Sequence, residues 1–158
     1  MQRSEPAAVE DVTDAVLTAT RVLVGISAAS LAPIEDQVTL SQYRALVVLA
    51  SRGPQSLAQL AAELQVVPST ATRMCDRLER KGLVERRAVP DNRREVEVRL
   101  AREGRKIVTT VAAARRRALR AIVDRLGEGE RAALVDALDA FAGAAGELPE
   151  EQWYLGWD

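Results

Sequence analysis

The sequence predicts a mostly α-helical protein with a small β wing, flanked by helices at both ends, and three observations carry that prediction. A short helix, a turn and a helix with a basic outer face stand in mid-chain, followed by two strands with a basic tip. The segments on either side repeat apolar residues at helical spacing. Charge is concentrated in the same middle: Ser69 to Lys106 holds 12 Arg or Lys against 7 Asp or Glu, while the whole 158-residue chain sums to −1. A basic centre between acidic flanks is the footprint of a local anion-binding surface.

The first helix is expected from Val9 to about Leu31, with Val9, Val12, Val16, Leu23 and Ile26 alternating with Glu10, Asp11, Asp14 and Arg21, and Pro33 ending it. A second runs from Thr39 to Ser51, capped by Ser41 and stopped by Gly53-Pro54, with Leu46, Val47, Leu49 and Ala50 inward. Ser56 and Gln59 make a capping box that opens a short helix, Leu57 to Leu64, burying Leu57, Leu60, Ala61 and Leu64. After a turn at 65–67, Pro68 suits a first helical position, and the next helix runs to Lys81 with Gly82 as its stop. Its inward stripe is Val67, Ala71, Met74, Cys75 and Leu78; its outward face is Ser69, Thr70, Thr72, Arg73, Asp76, Arg77 and Arg80.

Strands follow at Leu83 to Val89 and Glu95 to Leu100, joined by a loop Pro90-Asp91-Asn92-Arg93-Arg94. A long helix from about Arg102 to Leu126 ends at Gly127. A last one, Glu130 to Ala145, is expected to bury Leu134, Leu138 and Phe141. Three of the five aromatics, Trp153, Tyr154 and Trp157, fall in the tail. The units are thus 1–36, an N-terminal dimerisation helix; 37–104, a winged core; and 105–158, C-terminal dimerisation helices and tail.

Composition excludes as much as it suggests. One cysteine, Cys75, rules out an internal disulfide and any multi-cysteine zinc site. With no histidine the chain lacks the commonest general base and metal ligand, so neither an enzyme nor a cofactor is expected. No apolar run is read as reaching the ~20 residues of a membrane span, and the start does not resemble a signal peptide. The expected location is the cytoplasm, without a membrane partner.

The order helix, short helix, turn, helix, two-stranded wing is that of a winged helix-turn-helix, whose second helix must enter a DNA major groove. Ser69, Thr70 and Thr72 are short enough for close approach. Arg73 and Arg77, one turn apart, reach guanine edges or phosphates, and Arg93 and Arg94 stand where a wing tip grips a minor groove or phosphates. Arg86, at the wing's base, suits a salt bridge to a wing carboxylate as well as a phosphate contact. Arg115-Arg116-Arg117 with Arg120 reads mainly as a solvated helix face, the alternative being a site for phosphate or an acidic ligand. Cys75 reads mainly as packing, the alternative being a redox switch, and Trp153, Tyr154 and Trp157 mainly as a cap on the dimer helices, the alternative being a ligand-pocket lining.

Several stretches together resemble the MarR family of bacterial winged-helix regulators. They are Thr39-Leu40-Ser41-Gln42-Tyr43-Arg44-Ala45-Leu46, Leu57-Ala58-Gln59-Leu60-Ala61 and Ser69-Thr70-Ala71-Thr72-Arg73. Asp76-Arg77-Leu78-Glu79-Arg80-Lys81-Gly82-Leu83-Val84-Glu85-Arg86 and the wing Asn92-Arg93-Arg94 with Leu100 and Gly104 complete the match. The chain departs from the family at Asn92, where Asp is usual, at Val67, which offers no capping oxygen, and at Ala101, where threonine is common. The resemblance implies a homodimer with intertwined terminal helices, bound to double-stranded DNA. It also implies repression relieved by a small-molecule effector, often an aromatic acid, or by oxidation. The alternative from another class is a winged-helix protein-interaction module without DNA binding, which would carry a neutral or acidic recognition face.

Overall fold

The computed structural model describes residues 8–89 and 92–154, with the side chains of 92–94 and 150 left undescribed. Helix α1, Val9–Leu31, runs into a 3-10 turn, Ala32–Ile34, which holds Pro33. Helix α2 is Leu40–Arg52, strand β1 Gln55–Ser56, helix α3 Leu57–Leu64 and helix α4 Pro68–Arg80. Strands β2, Val84–Val89, and β3, Asn92–Leu100, precede α5, Arg102–Val123, and α6, Glu128–Ala144. The sheet is antiparallel in the order β1-β3-β2, with Gln55 opposite Val98 on one side and Arg86 opposite Val98 on the other.

The core lies between α2, α3, α4, the sheet and the first half of α5. Leu46, Leu49, Leu60, Leu78, Val98, Val108 and Val111 are its largest fully buried aliphatic residues, and Cys75 is fully buried as well. Two capping boxes fix its entry angles. Ser56 accepts from Gln59 N at 3.2 Å while Gln59 Oε1 accepts from Ser56 N at 2.9 Å, as the sequence predicts. Thr39 and Gln42 make the same reciprocal pair at the start of α2, so Thr39 is the cap, not Ser41. The spacing is identical in the two boxes; Ser41 cannot cap because it is the second residue of the helix, two positions past Thr39.

Helix α4 ends in a Schellman turn. Leu83 N–H donates to Leu78 O at 2.9 Å and both side chains are buried, which needs Gly82 at φ +69. Gly104 answers a different demand: a Cβ there would stand 2.1 Å from Leu83 O, so only glycine lets α5 pass this close to the start of the wing.

Several expectations are corrected. Strand β1 was not foreseen, being only two residues long and legible only through its pairing with β3. β3 begins at Asn92 rather than Glu95, so Asn92, Arg93 and Arg94 belong to a strand and not to the connecting loop. Pro90 and Asp91 lie outside the described residues. Val67 is 62% exposed: as the residue before α4 it points away from the core instead of opening the inward stripe. Leu57, Val47 and Met74 are half-buried at the core's edge. α5 stops at Val123, and Gly127 caps α6, its N–H donating to Glu130 Oε2 at 2.8 Å.

The larger correction concerns the ends. Leu134, Leu138 and Phe141, read as buried, are 37%, 52% and 55% exposed, and α6 buries none of its residues. Among its 23 residues α1 buries only Ser30. In addition, Val9–Ile34 is long and apolar enough to cross a membrane by length and composition, contrary to the expectation that no such stretch exists. Threonine, serine and alanine interrupt its larger apolar residues, which hides the run from a search for uninterrupted ones.

Candidate nucleic-acid interface

The outward face of α4 carries most of the residues singled out in the sequence. Ser69, Arg73 and Arg77 are exposed, and Thr70 and Thr72 are half-buried. Arg73 and Arg77 make no hydrogen bond or ion pair among the described residues, leaving both guanidinium groups available to a ligand. Thr72 is less available, because its hydroxyl donates back to Pro68 O at 3.0 Å. Arg80 is partly occupied as well, its Nε–H donating to Asp76 O at 3.2 Å.

The N-terminal end of α2 borders the same face. Thr39, Ser41, Gln42, Thr70, Arg73, Met74 and Arg77 line a cleft of about 370 Å³. A second cleft of about 470 Å³ shares Thr39, Gln42 and Arg77 and adds Arg80 and Lys81. Lys81 spans from the end of α4 to the Gln37 carbonyl and, at 3.3 Å, to Gln42 Oε1, pinning the start of α2 beside α4. Two guanidinium groups, short hydroxyls and a helix N-terminus therefore face one groove, a donor-rich surface suited to oxyanions and base edges. Ser41 was missed as part of this face because it was assigned to capping. The second capping box, Thr39 with Gln42, was the signal that would have released it.

The wing is fixed to α4 at its base. Arg86 Nη2 lies 2.6 Å from Asp76 Oδ1 and its Nη1 2.6 Å from Glu79 Oε2, while its backbone N–H donates to Glu79 Oε1 at 3.3 Å. Hydrogen bonding to Asp76, opposed by desolvation and supported by the charge of Glu79, raises the Arg86 pKa, so this guanidinium stays charged. Its partners are carboxylates of α4, not of the wing. The bridge thus joins the two elements a winged helix presents together. The side chains of Arg93 and Arg94 lie outside the described residues; their backbone continues β3 toward the tip.

Within the core Cys75 is fully buried, and desolvation pushes its thiol above the ordinary value, against the lowering effect of Arg86. That disfavours the thiolate on which redox chemistry depends.

A separate cavity of about 440 Å³ opens between α2 and the second half of α5. Tyr43, Val47, Val108, Leu119 and Trp153 supply its apolar wall, and Arg115, Arg116 and Arg120 its charge. Arg115 stacks over the Tyr43 ring at 5.8 Å, and its Nε is buried with no hydrogen-bond partner among the described residues. The arginine run is therefore not simply a solvated face: Arg115 turns inward, and Arg116 and Arg120 border the opening.

Comparison with known proteins agrees with this architecture. The family model described as MarR family matches residues 38–96. The chain is 32% identical over 112 residues to Mb0904, an HTH-type transcriptional regulator of Mycobacterium bovis, covering 71% of this chain and 78% of that protein. It spans only about half, 49%, of a Bacillus subtilis relative that it also matches. The crystal structure of RV1404 from Mycobacterium tuberculosis is 42% identical, with TM-score 0.83, over 92% of this chain and 100% of that one. FabT of Streptococcus pneumoniae, solved in complex with DNA, shares the fold at 21% identity and TM-score 0.71, over 86% and 98% of the two chains.

Proposed function

The chain is a transcriptional regulator of the MarR family, and from that premise we propose that it binds double-stranded DNA sequence-specifically as a homodimer and represses transcription. The observation that carries this reading is the α4 face, where Arg73 and Arg77, without partners among the described residues, stand beside the N-terminus of α2. In the proposed complex α4 lies in the major groove. Ser69, Thr70 and Thr72 allow close approach, Arg73 and Arg77 reach guanine edges or phosphates, and Ser41 and the α2 N-terminus hold the backbone. Arg93 and Arg94 extend the wing to the flanking groove. FabT, bound to DNA in its own crystal, supports this reading by likeness of fold. A protein-interaction module is disfavoured by a recognition face that is basic rather than neutral.

Residues 1–36 and 105–158 serve dimerisation in this reading, and 37–104 form the DNA-binding core. The exposed Val12, Leu17, Leu23, Leu134, Leu138 and Phe141 of α1 and α6 need a cover that the described residues do not provide. A partner copy supplies it, and the apolar length of α1 is assigned to this interface rather than to a membrane. Two lobes related by a two-fold axis then read an inverted repeat with half-sites about one helical turn apart. Relief of repression falls to the cavity between α2 and α5, whose arginines and aromatic walls suit a small organic anion, in a protein working in the cytoplasm.

Selection of bound duplexes from a random library tests the reading. An inverted repeat should emerge, and the Arg73→Ala, Arg77→Ala double variant should fail to enrich it. Recovery of duplexes with no common sequence would overturn sequence-specific binding.

A further inference from the structure

The chain returns to the lobe that it leaves through α5. Beyond α6 it passes Leu148 and a 3-10 turn, Glu150–Gln152, and docks at the C-terminal end of α2. There the Tyr154 N–H donates to Ser51 O at 3.0 Å. The Tyr154 ring lies so close over Gly53 that a Cβ on that residue would stand 2.9 Å from Tyr154 Cδ2. Trp153 is half-buried against the core and walls the cavity between α2 and α5; its Nε1–H donates to Leu148 O at 3.2 Å, folding the tail on itself. Ordering a tail with two bulky aromatics costs conformational entropy, and the contacts that offset it are made to the winged lobe.

Helix α6 buries none of its own residues, so little besides its two ends relates it to the lobe. One end is the link through Asp124 to Gly127. The other is this tail. A helix tied at one end can swing about its link, whereas a helix tied at both ends has a fixed direction. In a dimer assembled on α1 and α6, that direction decides how far apart the two α4 helices stand.

We infer that Trp153 and Tyr154 are positioning residues: they form a C-terminal strap that braces α6 against the winged lobe and so sets the half-site spacing the dimer accepts. The inference rests on the DNA-binding reading above. It assigns the tail a part in specificity without any contact to DNA, because a bivalent binder engages both half-sites only when its geometry spans them.

The test uses the full chain, the half-site recovered by selection, and duplexes whose centre is lengthened or shortened by one or two base pairs. The unaltered protein should lose about tenfold or more in affinity per base pair of altered spacing. The Trp153→Ala, Tyr154→Ala double variant should remain dimeric and show a flattened profile, with less than about threefold between spacings, while Trp153→Phe keeps the sharp one. A double variant that retains the wild-type spacing profile, at whatever overall affinity, overturns the inference. If that variant fails to fold, Trp153 emission in a full-length Trp157→Phe protein decides instead. It should shift to the red on duplexes of altered spacing and stay put on the optimal one, and an unmoved signal on all of them rejects the strap. Should the unaltered protein show no preferred half-site at all, the DNA-binding reading fails first and the strap falls with it.

Discussion

The winged lobe and the terminal helices are built from the same aliphatic residues at the same helical spacing, yet they meet opposite fates within one chain. Leu46, Leu60 and Leu78 are wholly buried, whereas Leu17, Leu134 and Leu138 stand open to solvent. The difference is one of partners. In the lobe, α2, α3, α4 and the sheet supply one another with facing apolar stripes. Among the described residues α6 has no extensive partner and buries no residue of its own, and α1 packs mainly along α5. Periodicity therefore identifies a face that must be covered and is silent about which chain covers it.

The largest effect is expected inside the lobe. Leu78→Ala should cost about 2–5 kcal/mol, because α4 is held on all its inner side and cannot collapse into the space left. Chemical denaturation of the lobe signal measures it. Leu138→Ala, the same chemical change on α6, should leave that signal within about 0.5 kcal/mol. It should instead raise the concentration at which the protein dissociates, as read by sedimentation. A comparable loss of lobe stability from both variants would erase the distinction between the two regions.

Cys75 sharpens the contrast from within the core. Cys75→Ser places a hydroxyl where the thiol is fully buried and should cost about 1–3 kcal/mol. The pH dependence has a definite sign. Burial holds the folded thiol above its ordinary value of 9.0, so the unfolded chain loses its proton first. Stability from this group is complete below that value and declines as pH rises through it toward the folded value. Denaturation across the alkaline range should show a decline that Cys75→Ser lessens. Native-state alkylation of Cys75 should track unfolding; fast labelling of the folded protein would contradict its burial.

Arg86 ties wing to recognition helix, but the pair is partly solvated, and Arg86→Ala should cost only about 1 kcal/mol of stability. Its larger consequence should fall on DNA affinity, since β2 would be held against α4 less firmly. The smallest effect is expected from Arg94→Ala: weaker binding with a salt dependence reduced by about one unit, if the side chain neutralises one phosphate. Unchanged affinity together with unchanged salt dependence would remove the wing from the interface.

Local chemistry made much of this legible in the sequence. Pro68 at the first turn of α4, Gly82 after its end and the Ser56–Gln59 box each impose backbone geometry through neighbours a few residues away, and each stands where the pattern put it. The Asp76–Arg86–Glu79 bridge, the inward turn of Arg115 onto Tyr43 and the return of Trp153 and Tyr154 to α2 were not legible. Each depends on which elements lie side by side, and spacing along one element carries no such information. Of the candidate face, the helix residues were readable from α4 alone. Ser41 and Lys81 join it only because the start of α2 packs against the end of α4.

Affinity measured in parallel on the selected duplex and on a scrambled one tests most directly whether the α4 face reads base sequence. Arg73→Ala and Arg77→Ala should each lose about 1–3 kcal/mol on the selected duplex and much less on the scrambled one, if each guanidinium is bidentate to a guanine. Equal losses on both duplexes, or an unaltered protein that binds both with equal affinity, would contradict it.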